Sequence, residues 1–186
     1  AAALERTAIL ERTIQLDSLT GLYNRKYTEM HITRLLTNDH ESGLMFVIDM
    51  DDFKKVNDTH GHLKGDELLK EVGAALMDFV PPPGIAGRIG GDEFLLFMSH
   101  VPDVKTVETR MSMVLESIQD MCLEQGMVIH PSCSIGAAFQ PLHGNDFDTL
   151  FRHADTAMYG AKGKGKSCFR IYDASLRMPS DLGIEA

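Results

Sequence analysis

Short unbroken apolar runs alternate along this chain with longer stretches in which apolar residues recur every three or four positions. Leu44-Met45-Phe46-Val47-Ile48 and Phe94-Leu95-Leu96-Phe97-Met98 have the length and continuity of buried strands. Arg88-Ile89, just before Gly90-Gly91, reads as the strand that turns back onto the second of these. Ser132 to Phe139, with Ile135 and Ala137, and Cys168-Phe169-Arg170-Ile171-Tyr172 read as further strands. The helical period is clearest from Asp66 to Val80, where Leu69, Val72, Leu76 and Phe79 share one face before Pro81-Pro82-Pro83 stops the helix. A second helix from about Val104 to Cys122 carries Val107, Met111, Val114, Ile118 and Met121, with its methionines read as core. A third, from Asp148, groups Leu150, Phe151, Ala154, Ala157, Met158 and Ala161. Arg25 to Thr37 also reads as a helix, with less regular spacing, followed by turn residues Asn38 to Gly43. These elements predict an α+β fold: a central, mostly antiparallel sheet flanked by helices.

Composition narrows the class. The 186 residues are 44% hydrophobic, enough for one core without disulfides or metal staples. No apolar run approaches the roughly 18 residues of a membrane span, and no secretory signal pattern opens the sequence, so a cytoplasmic fragment without membrane contact is expected. Cys122, Cys133 and Cys168 are odd in number and lack C-x-x-C spacing, which favours reduced thiols. A net charge of -9 argues against nucleic-acid binding, which needs basic surface.

The candidate chemistry lies where strands end. Gly90-Gly91-Asp92-Glu93-Phe94 puts two glycines and two carboxylates at a hairpin tip, where bare backbone can meet a phosphate. Taken alone, that string also fits an ordinary solvated turn. The second acidic site is Asp49-Met50-Asp51-Asp52, directly after the 44–48 run. Carboxylates from two neighbouring strands suit Mg²⁺, a hard cation that shares its shell with substrate phosphates, and Asp49 with Asp92 is the favoured pair. A calcium loop fails: counted from Asp49, Lys54 stands where glycine is needed and His60 where the closing acid belongs. His60 and His62 lack a further His or Cys to complete a transition-metal site and read as part of a polar loop. Gly160-Ala-Lys-Gly-Lys-Gly165-Lys166-Ser167 matches the spelling of a P-loop. Its context is inverted, with a helix before and a strand after, so its lysines read as a basic turn.

Four ordered blocks resemble the GGDEF domains, the diguanylate cyclases of bacterial signalling. They are Asp17-Ser-Leu-Thr-Gly-Leu-Tyr-Asn-Arg25, Asp49 through Asp66, Arg88-Ile-Gly-Gly-Asp-Glu-Phe94, and Ala154-Asp-Thr-Ala-Met-Tyr-Gly-Ala-Lys162 with Gly165-Lys166. The resemblance implies a palm-like nucleotide cyclase fold with a ferredoxin-like core over residues 17–173. Residues 1–16 would be the stub of a signalling helix, since Leu4 to Leu16 is amphipathic, and 174–186 a tail or linker.

The same resemblance implies roles residue by residue. Asp49 and Asp92 match the side-chain metal ligands, the Met50 carbonyl a backbone ligand and Glu93 a further contributor, for two Mg²⁺ ions per site, with Mn²⁺ as an alternative. Asn57 and Asp66 match positions that recognise the guanine edge, and His62 a substrate contact. Gly90 and Gly91 would lie under the triphosphate, with Lys162 and Lys166 at its terminal phosphates. Asp92, Lys54 and Glu93 would serve catalysis, Lys54 on the phosphate side. The implied activity joins two GTP into cyclic di-GMP between two facing copies of the domain. Implied partners are GTP, a second copy and an upstream sensor or relay domain, while the C-terminal end is either a natural tail or the lead into a further domain such as a phosphodiesterase. The alternative is a silent GTP-binding regulatory module. A cyclase making another product would require that Asn57 and Asp66 do not select guanine. One departure stands out: the family's inhibitory Arg-x-x-Asp falls on Pro81 and Gly84, which supply neither a guanidinium nor a carboxylate.

Overall fold

The computed structural model describes residues 15–38, 42–101, 103–124 and 132–176. The signalling helix read over Leu4 to Leu16 falls outside these, apart from Gln15 and Leu16, as does the tail from residue 177.

In chain order the elements are β1 (Tyr23–Asn24), α1 (Arg25–Asn38), β2 (Gly43–Asp51), α2 (Phe53–His60), α3 (His62–Phe79), β3 (Ile85–Arg88), β4 (Glu93–Ser99), α4 (Val104–Glu124), β5 (Ser132–Gln140), α5 (Phe147–Gly163) and β6 (Phe169–Ile171). The sheet runs β1-β3-β4-β2-β5-β6. Its centre is antiparallel, with β2 between β4 and β5, while the outer pairs β1/β3 and β5/β6 are parallel. The expected mostly antiparallel α+β sheet is therefore present.

Strand alternation divides the core into two layers. Leu44, Phe46, Ile48 and Met50 of β2, with Phe94, Leu96 and Met98 of β4, pack beneath Leu68, Leu69, Val72 and Leu76 of α3 and Val107, Met111, Val114 and Ile118 of α4. Met45, Val47, Leu95 and Phe97 face the other way, against Ile32 and Leu36 of α1 and Leu150, Ala154 and Met158 of α5. Each Val, Leu, Ile, Phe or Met side chain among these contributes about 1.5–3 kcal/mol when fully buried. By the same alternation Asp49, Asp51 and Glu93 lie on the α5 side. That helix comes very close to the sheet at Gly136, where an added Cβ would stand 2.0 Å from the Ala154 carbonyl oxygen and 2.1 Å from the Met158 nitrogen.

Two boundaries differ from the sequence expectation. The stretch around His60 read as polar loop forms α2, whose Val56 is fully buried, and α3 begins at His62 rather than Asp66. Only Phe53 and Val56 are apolar within α2, too few to show a period. Gly61, at φ 82°, turns the chain between the two helices, a conformation that favours glycine. β2 also outlasts its apolar run, because β5 supplies ladder partners as far as Asp51↔Ser132. Among the described residues no helix is long and apolar enough to cross a membrane.

Candidate active site

The end of β2 and the tip of the β3–β4 hairpin are joined through the backbone. Asp49 is the register partner of Glu93, and the Met50 N–H donates to the Asp92 carbonyl at 3.1 Å. The tip itself is closed by Ile89 N–H donating to the Glu93 carbonyl at 3.0 Å. Gly91 is open, with nothing within 4 Å of an added Cβ, whereas the Glu93 carboxylate folds over Gly90. Arg88 pins this tip from behind: its guanidinium donates to the Gly91 carbonyl at 2.6 and 3.1 Å and to Asp17 at 3.1 Å. Burial raises the proton affinity of Asp17, but the Thr20 N–H and hydroxyl together with Arg88 outweigh it and hold the carboxyl below its usual range.

Asp49 is 8% exposed and receives the Lys162 ammonium at 2.7 Å. Burial nonetheless raises its proton affinity above the ordinary value; Lys162 works against that rise, and Asp92 and Glu93 add to it. A buried carboxylate that remains hard to ionise beside a lysine is short of positive charge. Asp155 of α5 is raised as well, by burial and then by Glu93, with Lys162 opposing. Lys166 holds Asp52 at 2.9 Å; the bonds from Lys166 and Lys55 lower the Asp52 carboxyl, and the bond to Asp52 raises Lys166.

Asp51 is in a different environment from Asp49. It is 4% exposed and accepts from Ser132 Oγ and Ser134 Oγ, each at 2.7 Å, and from the Ser167 N–H at 2.9 Å.

The helical side of the site is formed by α2 and α3. Asn57 lies between them with Oδ1 buried and without a hydrogen-bond partner. That oxygen would stand 2.0 Å from a Cβ at Gly65, so only glycine admits it there. Asp66, next along α3, is half-buried; His62 opens α3 and is exposed. Lys54 on α2 is exposed, with no carboxylate partner among the described residues.

A family model described as "Diguanylate cyclase, GGDEF domain" matches residues 14–168. The chain belongs to the GGDEF family. Among curated relatives it is 38% identical over 173 residues to the cyclic di-GMP phosphodiesterase PdeR of Escherichia coli, covering 91% of this chain and 25% of PdeR. It is 34% identical over 168 residues to the diguanylate cyclase DosC of the same species, covering 88% of this chain and 36% of DosC. The chain thus spans well under two thirds of either relative. Its structure matches the coiled coil and GGDEF domain of DgcB from Caulobacter crescentus, solved with c-di-GMP, at a TM-score of 0.81 and 25% identity, covering 93% of this chain and 92% of that one. The GGDEF domain of YfiN (TpbB) from Pseudomonas aeruginosa matches at 0.80 and 29% identity, with 90% and 99% covered.

The structure of this GGDEF chain brings most of the sequence-selected residues to one end of the sheet. Asp49, Met50, Asp92 and Glu93 meet across two strands, with Gly90 and Gly91 at the tip and Lys162 on Asp49. Among the described residues no three His, Cys, Asp or Glu side chains converge as a ready metal cage. Asp49, Asp92 and the Met50 carbonyl still fit a divalent cation: the Lys162 ammonium already places a cation on Asp49, and a hard ion takes its other ligands from phosphate and water. The P-loop spelling is excluded, since α5 precedes the final Gly-Lys-Ser and β6 follows it. Sequence reading missed Asp17 and Arg88 as the pin behind the tip, Asp51 as a hydrogen-bonded anchor, and Asp155 as a further acid beside Glu93. All four stand inside the quoted blocks, so their presence was visible and their contacts were not.

Proposed function

We propose that the chain, over residues 17–173, is the diguanylate cyclase unit of a longer signalling protein, condensing two GTP into cyclic di-GMP with release of two pyrophosphates. The observation that carries this reading is the backbone junction of Asp49 and Met50 with the Asp92-Glu93 hairpin tip, which collects two strand-end acids beside open Gly91. The buried, unpartnered Asn57 Oδ1 supports a guanine ligand, because the guanine edge offers N–H donors, and Asp66 adds a second acceptor. Mg²⁺ or Mn²⁺ bound at Asp49, the Met50 carbonyl, Asp92 and Glu93 supplies charge that offsets the phosphates.

Each domain holds one GTP, so two copies face each other, and the 3′-oxygen of one nucleotide bonds to the α-phosphorus of the other. The bond from that phosphorus to pyrophosphate breaks, the hydroxyl proton passes to Asp92, and a second round closes the ring. Lys54, exposed on α2, gives positive charge to the phosphate side. Lys162 and Lys166, released from Asp49 and Asp52, meet the terminal phosphates. In the whole protein a sensor or relay domain upstream regulates this pairing, and the unit works in the cytoplasm.

A silent GTP-binding module is the second reading. It is favoured by the ion pairs that occupy both lysines and by the 38% identity to a protein named as a phosphodiesterase. Incubation with GTP and Mg²⁺ over a range of protein concentrations, with the product identified by mass, separates the two. The cyclase yields cyclic di-GMP at a rate rising faster than linearly with concentration; GTP binding without any product establishes the silent module.

A further inference from the structure

Asp51 has no part in the chemistry above, yet it is the most enclosed acid at this end of the sheet. A carboxylate out of water is costly unless its oxygens are filled with donors. Here three neutral donors fill them: Ser134 Oγ on Oδ1, and Ser132 Oγ and the Ser167 N–H on Oδ2. The last is the informative bond, since Ser167 lies in the loop between α5 and β6, 116 residues away in sequence.

That loop contains two successive side-chain-bearing residues in the left-handed region, Lys166 at φ 67° and Ser167 at φ 50°. Such backbone persists only where its surroundings dictate it. Among the described residues the loop is held by the Ser167 N–H to Asp51, Gln119 Nε2 donating to Ser167 Oγ at 2.8 Å, the Lys164 and Lys166 N–H groups donating to the Ala161 carbonyl at 3.1 and 3.3 Å, and the Gly165 N–H donating to the Lys162 carbonyl at 3.2 Å. Held in this way, the loop carries the Lys166 ammonium to the end of β2, where it meets Asp52 at 2.9 Å.

We infer that Asp51 is a positioning residue that fixes the 164–167 loop and through it sets the grip of Lys166 on the terminal phosphates of the nucleotide. This rests on the GTP-binding reading above. Asp51 acts on the loop as a hydrogen-bond acceptor, and its charge pulls on Lys166 less than that of Asp52. An asparagine can repeat the arrangement, with its oxygen accepting from Ser132 and Ser167 and its amide donating to Ser134 Oγ, a hydroxyl that also accepts.

The test compares dissociation constants for GTP and for GMP, which lacks the terminal phosphates, measured with Mg²⁺ on the full chain. Asp51→Ala should weaken GTP roughly fivefold, the worth of one partly exposed charge contact, and leave GMP unchanged. Lys166→Ala should do the same, the double variant should lose nothing more, and Asp51→Asn should stay within about twofold of the parent chain. If Asp51→Ala does not fold, the Ser132→Ala/Ser134→Ala pair carries the test, with a smaller selective loss expected. Equal weakening of GTP and GMP, additive losses from Asp51 and Lys166, or an Asp51→Asn variant as damaged as Asp51→Ala would each overturn the inference. A parent chain that binds neither nucleotide would overturn the GTP reading and this inference with it. Tight GTP binding by the parent chain that Asp51→Ala retains would overturn this inference alone.

Discussion

The acids at the hairpin end and the lysines at the end of α5 face one another across Asp49, but they are held by different kinds of bond. Asp49, Met50 and Glu93 belong to the ladder, with β4 and β5 paired on either side and the Met50 N–H tied to the Asp92 carbonyl. Lys162, on the last turn of α5, is placed by its side-chain contact to Asp49, and Lys166 by its contact to Asp52 and by a loop that bends through two left-handed residues. Ladder geometry is shared among many backbone groups, so one side chain can be exchanged without moving its neighbours. A loop held by a few side chains moves when one of them is lost. The contrast predicts that changes at the acid end alter chemistry and spare the fold, whereas changes around α5 alter geometry first.

The largest effect is expected from Asp92→Asn. It removes a charge at the rigid tip and almost no volume, so turnover should fall by at least about 10³-fold while the thermal unfolding midpoint barely changes. Full activity in that variant would remove the acid end from the chemistry. Next comes Lys54→Ala, for which kcat should drop on the order of 10²-fold, as for other preorganised donors. An unchanged kcat would reduce Lys54 to a surface residue.

Gly136→Ala tests the other side of the comparison. Its methyl would collide with the Ala154 carbonyl and the Met158 nitrogen, so α5 must move and take Lys162 from Asp49. A loss of about 1–3 kcal/mol in denaturant unfolding is expected, the range for overpacked sites. Unaltered stability would mean that α5 is not seated as rigidly as this contact implies.

Asp17→Asn should cost less, roughly 1 kcal/mol, because the Arg88 pair is partly exposed. Its pH dependence has a definite sign. A carboxyl lowered in the folded state contributes fully above its unfolded value of about 3.9 and loses that contribution as pH falls through the lower folded value. The stability gap between parent and variant should therefore be constant near neutrality and close only in acid. A gap that closes above pH 5 would contradict the Thr20 and Arg88 contacts. The smallest effect should come from added cyclic di-GMP, since Pro81 and Gly84 form a tight turn into β3 with no charged group at either position. Low-micromolar noncompetitive inhibition would show that another surface takes the product.

Much of the acid end was legible because its residues are adjacent in sequence to apolar strand runs, and a period of two places them once the strands pair. α2 was not legible: two apolar residues in eight cannot display a helical period, and its formation depends on Val56 reaching a core built by other elements. The Asp17–Arg88 pin joins residues 71 positions apart, and Asp51 reaches serines 81 and 83 positions away. In sequence Asp51 looks like one more acid beside Asp49; only the β2–β5 register shows that its oxygens are already filled. The lysines were visible as a basic turn, and their attachment to Asp49 and Asp52 depends on how closely α5 approaches Gly136.

Asp49 and Asp92 must gather a divalent cation around GTP for the proposed chemistry to run, and a crystal structure with Mg²⁺ and a non-reacting GTP analogue shows whether they do. The predicted result is an ion bound by Asp49 and Asp92, with Lys162 moved from Asp49 to the nucleotide phosphates. Lys162 still seated on Asp49, with nucleotide present and no ion at either carboxylate, would contradict it.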